Sequence, residues 1–199
     1  MSHRLGALIF PGFELLDLFG PLEMFGLLPE TFAIQTIAET PGPIKSGQGP
    51  SALAELGIDD VAAVDVLLIP GGLGTRREVN NPHLLTWIAA AARQAATVAT
   101  VCTGAALLAR TGALDGFKAT TNKLAFDWVA SQGPQVNWQR RARWVRDGKY
   151  FTSSGVSAGI DMSLAVIAHL CGDATARQVA AWSEYSWNDD ADNDPFALP

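Results

Sequence analysis

Apolar positions along this chain of 199 residues fall into two patterns, continuous runs and helical repeats, and the two alternate. Leu5-Gly6-Ala7-Leu8-Ile9-Phe10 is an unbroken apolar run stopped by Pro11-Gly12, which predicts a strand buried on both faces. From Glu14 to Leu28 the spacing turns helical, with Leu15, Leu18, Leu22 and Phe25 on one side. Residues 32–37, 64–69 and 97–101 repeat the strand pattern, and a helix starting at Asn81-Pro82 carries Leu84, Leu85, Ile88 and Ala92. Residues 40–51, rich in Gly and Pro, read as turns with short extended pieces. Further on, a helix is expected over 105–111, a short strand over 118–121 and a helix over 123–131. Strands follow over 136–138, 142–145 and 150–152, with Asp147-Gly148 as a hairpin turn, and then helices over 158–170 and 174–185. Strands alternating with helices, the early strands apolar throughout, predict an α/β fold whose parallel sheet is covered on both faces. The hairpin near 142–152 predicts a small antiparallel addition.

Composition narrows the function. Hydrophobic residues make up 48 % and charged residues 17 %, which suits one globular domain over 1–187. The acidic stretch 188–199 reads as a solvated, weakly ordered tail. A net charge of -6 argues against a nucleic-acid partner, and Arg140, Arg141, Arg143 and Arg146 read as a solvated strand face or a subunit contact. No apolar stretch approaches the ~20 residues of a membrane span, and no signal peptide is visible at the N-terminus. Cys102 and Cys171 are therefore expected as reduced thiols in the cytoplasm.

One place concentrates chemistry. In Thr97-Val98-Ala99-Thr100-Val101-Cys102-Thr103-Gly104-Ala105 a β-branched run delivers a single nucleophile to a strand end, and small residues then open a helix. That is the logic of a nucleophile elbow. The free N–H groups of the following helical turn favour an anion, so the Cys102 thiol is expected to have a lowered pKa. Cys171, at the end of an apolar helix, reads as a small buried hydrophobe. In Leu15-Leu16-Asp17-Leu18-Phe19-Gly20-Pro21 one carboxylate sits in an apolar surround just beyond the first strand, which implies a raised pKa or a partner. Glu14 and Glu23 compete with Asp17 as the acid. Pro70-Gly71-Gly72 would let backbone N–H groups approach a ligand. Strand ends before Gly12, Gly71 and Cys102 should converge where open α/β sheets place their sites. None of His3, His83 and His169 sits beside Cys102 in the sequence, and no Cys/His spacing suggests zinc. Asp190, Asp192 and Asp194 alternate like a calcium loop, but the required Gly and terminal Glu are missing.

These motifs, together with Ala119-Thr120-Thr121 and Ser157-Ala158-Gly159-Ile160-Asp161, occur in an order that resembles the DJ-1/PfpI superfamily, and within it the isocyanide hydratase branch. The resemblance runs from Leu5 to about Tyr185. It implies a flavodoxin-like three-layer sandwich, a homodimer, no metal or organic cofactor, and a small-molecule substrate. It also implies Cys102 as nucleophile and Asp17 as its acid/base partner, with Gly71, Gly72 and Thr103 contacting substrate and Asp161 in a structural role. Thr103 stands where protease-like and some glyoxalase-like relatives have His. Asn122-Lys123 stands where many hydratase-like relatives, and the related domains of AraC-type regulators, have His-Trp. No DNA-binding domain follows, so a full regulator of that kind is not expected. The reaction so implied is hydration of an isocyanide to an N-formamide. Its rivals are a cofactor-free glyoxalase or other small-carbonyl enzyme, and a non-catalytic cysteine redox sensor.

Overall fold

The computed structural model describes residues 2–197; Met1, Leu198 and Pro199 lie outside the described residues. In chain order the elements are β1 (His3–Leu8), α1 (Leu15–Gly26), β2 (Phe32–Ala38), β3 (Gly42–Lys45), β4 (Ser51–Ala54) and β5 (Leu56–Gly57). Then come β6 (Val66–Ile69), α2 (Thr75–Glu78), α3 (Pro82–Gln94), β7 (Thr97–Thr100), α4 (Gly104–Arg110) and β8 (Lys118–Ala119). The chain closes with α5 (Phe126–Gln132), β9 (Asn137–Trp138), β10 (Trp144–Asp147), β11 (Tyr150–Ser153), α6 (Ala158–Cys171) and α7 (Asp173–Trp182).

Seven strands form the central sheet in the order β10-β11-β7-β6-β1-β2-β5. Every neighbouring pair is parallel except β10–β11, the expected antiparallel hairpin, where Gly148 takes the turn at φ 58°. The Leu5–Phe10 run is buried throughout as expected, and β6, β7 and β11 are buried at every position, whereas β2 is partly exposed at four of its seven. The helices separate into two groups in mutual contact, α1 with α6 and α7, and α2, α3 and α5 around α4. Right-handed crossovers require this division, because the chain leaves β1 toward β2 but leaves β6 in the opposite direction. The result is a mostly parallel sheet between two helical layers, the α/β sandwich expected. The turn-rich stretch after β2 closes as the separate antiparallel pair β3–β4.

Three regions depart from the sequence reading. The helix expected from Lys123 begins at Phe126 instead, preceded by a loop that turns inward. Lys123 is buried there, with its ammonium donating to Thr120 Oγ1 at 2.9 Å and to the Ala142 carbonyl. Arg143, expected on a solvated strand face or at a subunit contact, is buried within the chain and paired with Asp161 at 2.6 Å. The acidic tail is not wholly solvated. Asn188 N–H donates to Asp161 Oδ1, Asp194 N–H donates to the Arg141 carbonyl, and Asp194 itself is buried 3.8 Å from Arg143. Composition suggested solvent; specific long-range partners decide otherwise.

Candidate active site

β7, β6 and β1 are adjacent in the sheet, and their carboxyl ends deliver Cys102, Gly71-Gly72 and, after one loop, Asp17 to a common place. This is the edge of the sheet beside which the strand order reverses. Cys102 adopts φ 55°, the left-handed conformation in which a non-glycine residue is strained. The predicted elbow is therefore present. Gly104 opens α4 so close under β6 that a Cβ there would collide with the Ile69 carbonyl oxygen, which is why the turn can be that tight.

Asp17 lies in the first turn of α1 and is fully buried. Its Oδ2 accepts the Gly71 N–H at 2.9 Å, while Oδ1 makes no hydrogen bond to nitrogen or oxygen. The Cys102 thiol faces this carboxyl, and each influences the other's protonation. Burial raises the Asp17 carboxyl to about 8, the Gly71 N–H opposing and the Glu14 charge assisting. Burial also pushes the Cys102 thiol up, to about 12, assisted by the negative charge of Asp17. This reverses the lowered thiol pKa expected from the elbow. The N–H groups of Thr103 and Val156 and the Asn122 amide do favour the thiolate, but a side chain only 6 % exposed loses more solvation than they return. The two groups are coupled: the Asp17 charge holds the Cys102 thiol up, so the carboxyl loses its proton before the thiol does.

The glycines do not act as expected. Gly71 N–H is committed to Asp17, and Gly72 N–H donates to Thr103 Oγ1 at 2.9 Å. Neither points freely into the cleft. Gly71 matters for closeness instead: a Cβ there would come within 2.6 Å of the Thr103 nitrogen and 2.8 Å of Asp17 Oδ2. Thr103 Oγ1 is also within 3.2 Å of Thr75 Oγ1, so its hydroxyl braces the β6 and β7 loops against each other.

A cleft of about 250 Å³ opens over Cys102, lined by Glu14, Gly72, Leu73, Arg76, Thr103, Asn122, Leu124, Ala125 and Val156. Glu14 stands at its rim, its carboxylate held by Gln48 at 2.7 Å, whereas Glu23 is exposed elsewhere on α1. Asn122 has its Oδ1 fixed by the Ala125 N–H, leaving its amide toward the thiol. The sequence around Asn122 gives no sign that its amide reaches the thiol. Val156, at φ 30°, carries one of the N–H groups that face Cys102, and nothing in the sequence announces a strained β-branched residue there. The histidines are engaged elsewhere: His3 stacks on Phe32, His83 contacts Glu39 and Asp59, and His169 contacts Arg146. Cys171 is half-buried and unpaired.

The protein-family model described as "DJ-1/PfpI family" matches residues 3–169. The chain belongs to the DJ-1/PfpI family. Among DJ-1/PfpI relatives, an isonitrile hydratase of Pseudomonas putida is 33 % identical over 186 residues, 94 % of this chain and 80 % of that one. The HTH-type transcriptional regulator GbdR of Pseudomonas aeruginosa is 31 % identical over 184 residues, 90 % of this chain but 48 % of the regulator. This chain thus spans about half the length of that relative. A ThiJ/PfpI family protein from Pseudomonas syringae, known as a crystal structure, superposes with a TM-score of 0.87 at 30 % identity, covering 98 % of this chain and 78 % of that one. No helix among the described residues of this DJ-1/PfpI chain is long and apolar enough to cross a membrane.

Proposed function

We propose that this chain hydrates an organic isocyanide to an N-formamide, with Cys102 as nucleophile and Asp17 as the single acid/base. The observation that carries the reading is the Asp17 carboxyl. It is fully buried, held by one N–H, and leaves its other oxygen unpartnered beside an elbow thiol. Such a carboxyl can both give and take a proton near neutral pH. Similarity to an isonitrile hydratase over most of both chains supports it.

The pair reacts when it holds one proton. The Cys102 thiol passes its proton to the Asp17 carboxylate as its sulfur bonds to the terminal isocyanide carbon, and that carbon then takes the proton from Asp17, giving a thioimidate and an Asp17 carboxylate. Water then adds to the thioimidate carbon. One of its protons passes through Asp17 to the nitrogen. Collapse of the adduct breaks the C–S bond, the hydroxyl proton returns to Asp17, and the formamide leaves. Atoms balance as isocyanide plus water. Asn122 and the N–H groups of Thr103 and Val156 steady the sulfur whenever it is anionic.

Burial of the thiol weighs against an oxidation sensor, which needs an accessible thiolate. A homodimer is part of the same reading: Leu16 and Phe19 on α1 and the nearby Leu124 expose apolar surface that a second copy would cover.

The test is to incubate the wild type and Cys102→Ala with cyclohexyl isocyanide and follow formamide. Formation by the wild type alone is expected. Equal rates in both proteins would refute the reading, as would absence of product from the wild type with both cyclohexyl isocyanide and the carboxylate-bearing isocyanoacetate.

A further inference from the structure

Arg76 is a cation at the mouth of the Cys102 cleft without a counter-charge. It stands in α2, directly after the Gly72-Leu73-Gly74 turn, and it lines the same small cleft as Cys102. Its neighbour Arg77 is engaged by Glu78 and by the Pro11 carbonyl. Arg4, Arg140, Arg143 and Arg177 pair with carboxylates, and the other arginines that do not, Arg93, Arg110, Arg141 and Arg146, lie away from the Cys102 cleft. Arg76 pairs with no carboxylate among the described residues. It is nonetheless held in place, because its guanidinium lies 4.4 Å over the ring of Trp128 on α5. This cation–π contact holds the group near the ring while leaving its N–H groups free of any carboxylate partner. The one acid that lines the cleft, Glu14, is hydrogen-bonded by the neutral Gln48 amide, keeps its charge, and forms no ion pair with Arg76 among the described residues. Apart from Arg76, Glu14 and Cys102, the cleft is lined by uncharged residues, among them Gly72, Leu73, Leu124 and Val156.

We propose that Arg76 is a specificity-determining residue that receives a carboxylate on the substrate, so that this site acts on small acid-bearing molecules with their reactive carbon at Cys102. A planar guanidinium binds a carboxylate through two parallel N–H···O bonds, which fixes direction as well as charge. The cleft is small enough for one short molecule to touch Arg76 and Cys102 together. Built on the hydration reading, this makes the substrate class an isocyanide carrying a carboxylate. The anion site itself does not depend on which reaction follows.

Two pairs of probes test it. Iodoacetate and iodoacetamide are nearly the same size and differ in charge; each alkylates Cys102 by forming an S–C bond as iodide leaves. Rates are measured by mass of the Cys102 peptide in wild type, Arg76→Gln and Arg76→Lys. The iodoacetate-to-iodoacetamide ratio is expected to fall about tenfold in Arg76→Gln and to recover partly in Arg76→Lys. It should also fall in the wild type as salt is raised. In parallel, kcat/KM is compared for isocyanoacetate and methyl isocyanide. The same loss of preference is expected there. An alkylation ratio that stays within twofold of the wild type in Arg76→Gln overturns the proposal, whatever the isocyanides do. If the ratio falls while no isocyanide is hydrated by any of the proteins, the anion site stands and the hydration reading fails.

Discussion

Two carboxylates, Asp17 and Asp161, are each fully buried, and the fold treats them in opposite ways. Asp161 on α6 receives Arg143 on Oδ2, and both the Tyr185 hydroxyl and the Asn188 N–H on Oδ1, at 2.6–3.0 Å. Even its backbone carbonyl is taken, by Trp187 Nε1. Asp17 receives one N–H and no counter-charge. Burial of a carboxyl thus separates into two uses. Where every lone pair is met the group ties segments together, here β10, α6 and residues 185–188. Where they are left unmet the group keeps its proton to high pH and becomes chemically useful.

The comparison is broken most severely at Asp161. Asp161→Ala would leave Arg143 buried with only the 3.8 Å contact to Asp194, and removal of one member of a buried pair costs about 3–5 kcal/mol. Urea unfolding of the variant should show that loss, and a change below 1 kcal/mol would mean the pair is dispensable. Asp17→Asn should do the reverse. Turnover should fall by at least about a hundredfold, because the proton shuttle is gone. Stability should rise by about 0.5–2 kcal/mol, because an amide suits the site better than a carboxyl does. The gain depends on pH. Folded Asp17 keeps its proton up to about 8, whereas the unfolded chain releases it near 3.8. The wild type is therefore favoured below 3.8 and progressively loses that contribution as pH climbs to about 8, so the advantage of Asn should grow over this range. Equal melting temperatures at pH 5 and pH 8 would count against a raised Asp17.

The smallest effect sharpens the same contrast. With a neutral isocyanide, kcat/KM should rise with pH through about 8 as the Asp17–Cys102 pair loses its first proton. Glu14 raises Asp17 through its charge, so Glu14→Gln should move that rise to lower pH. An unmoved profile would show that the rim charge is not felt inside.

What the sequence disclosed about this contrast was the local part. The elbow at Cys102, the lone acid Asp17 and the glycine-bearing strand end are written in consecutive residues, so pattern alone located them. The direction of the thiol's pKa was not legible, because it rests on how deeply Asn122, Val156 and Asp17 enclose Cys102 from three distant segments. The N–H groups of Gly71 and Gly72 were assigned to a ligand because their internal acceptors, Asp17 and Thr103, lie 54 and 31 residues away. Lys123 was placed in a helix by its neighbours' spacing. Its burial follows from the Ala142 carbonyl, 19 residues on. Composition likewise misplaced the acidic C-terminal stretch, since buried Asp194 and Asn188 answer to Arg143, Arg141 and Asp161 rather than to solvent.

That stretch has a consequence for how molecules of this protein meet one another. β10 is an outer strand of the sheet, and an outer strand offers unpaired N–H and C=O groups to any extended chain that arrives. The Ala191 carbonyl accepts the N–H groups of both Arg143 and Trp144, so the C-terminal segment already occupies the place where a foreign strand would start to pair. At the opposite margin β5 is two residues long, too short a template to recruit a neighbour. The sheet is thus blocked at the start of one outer strand by its own chain and at the other margin by brevity, and cutting the chain before Asn188 would free the first N–H groups of β10 for a foreign strand.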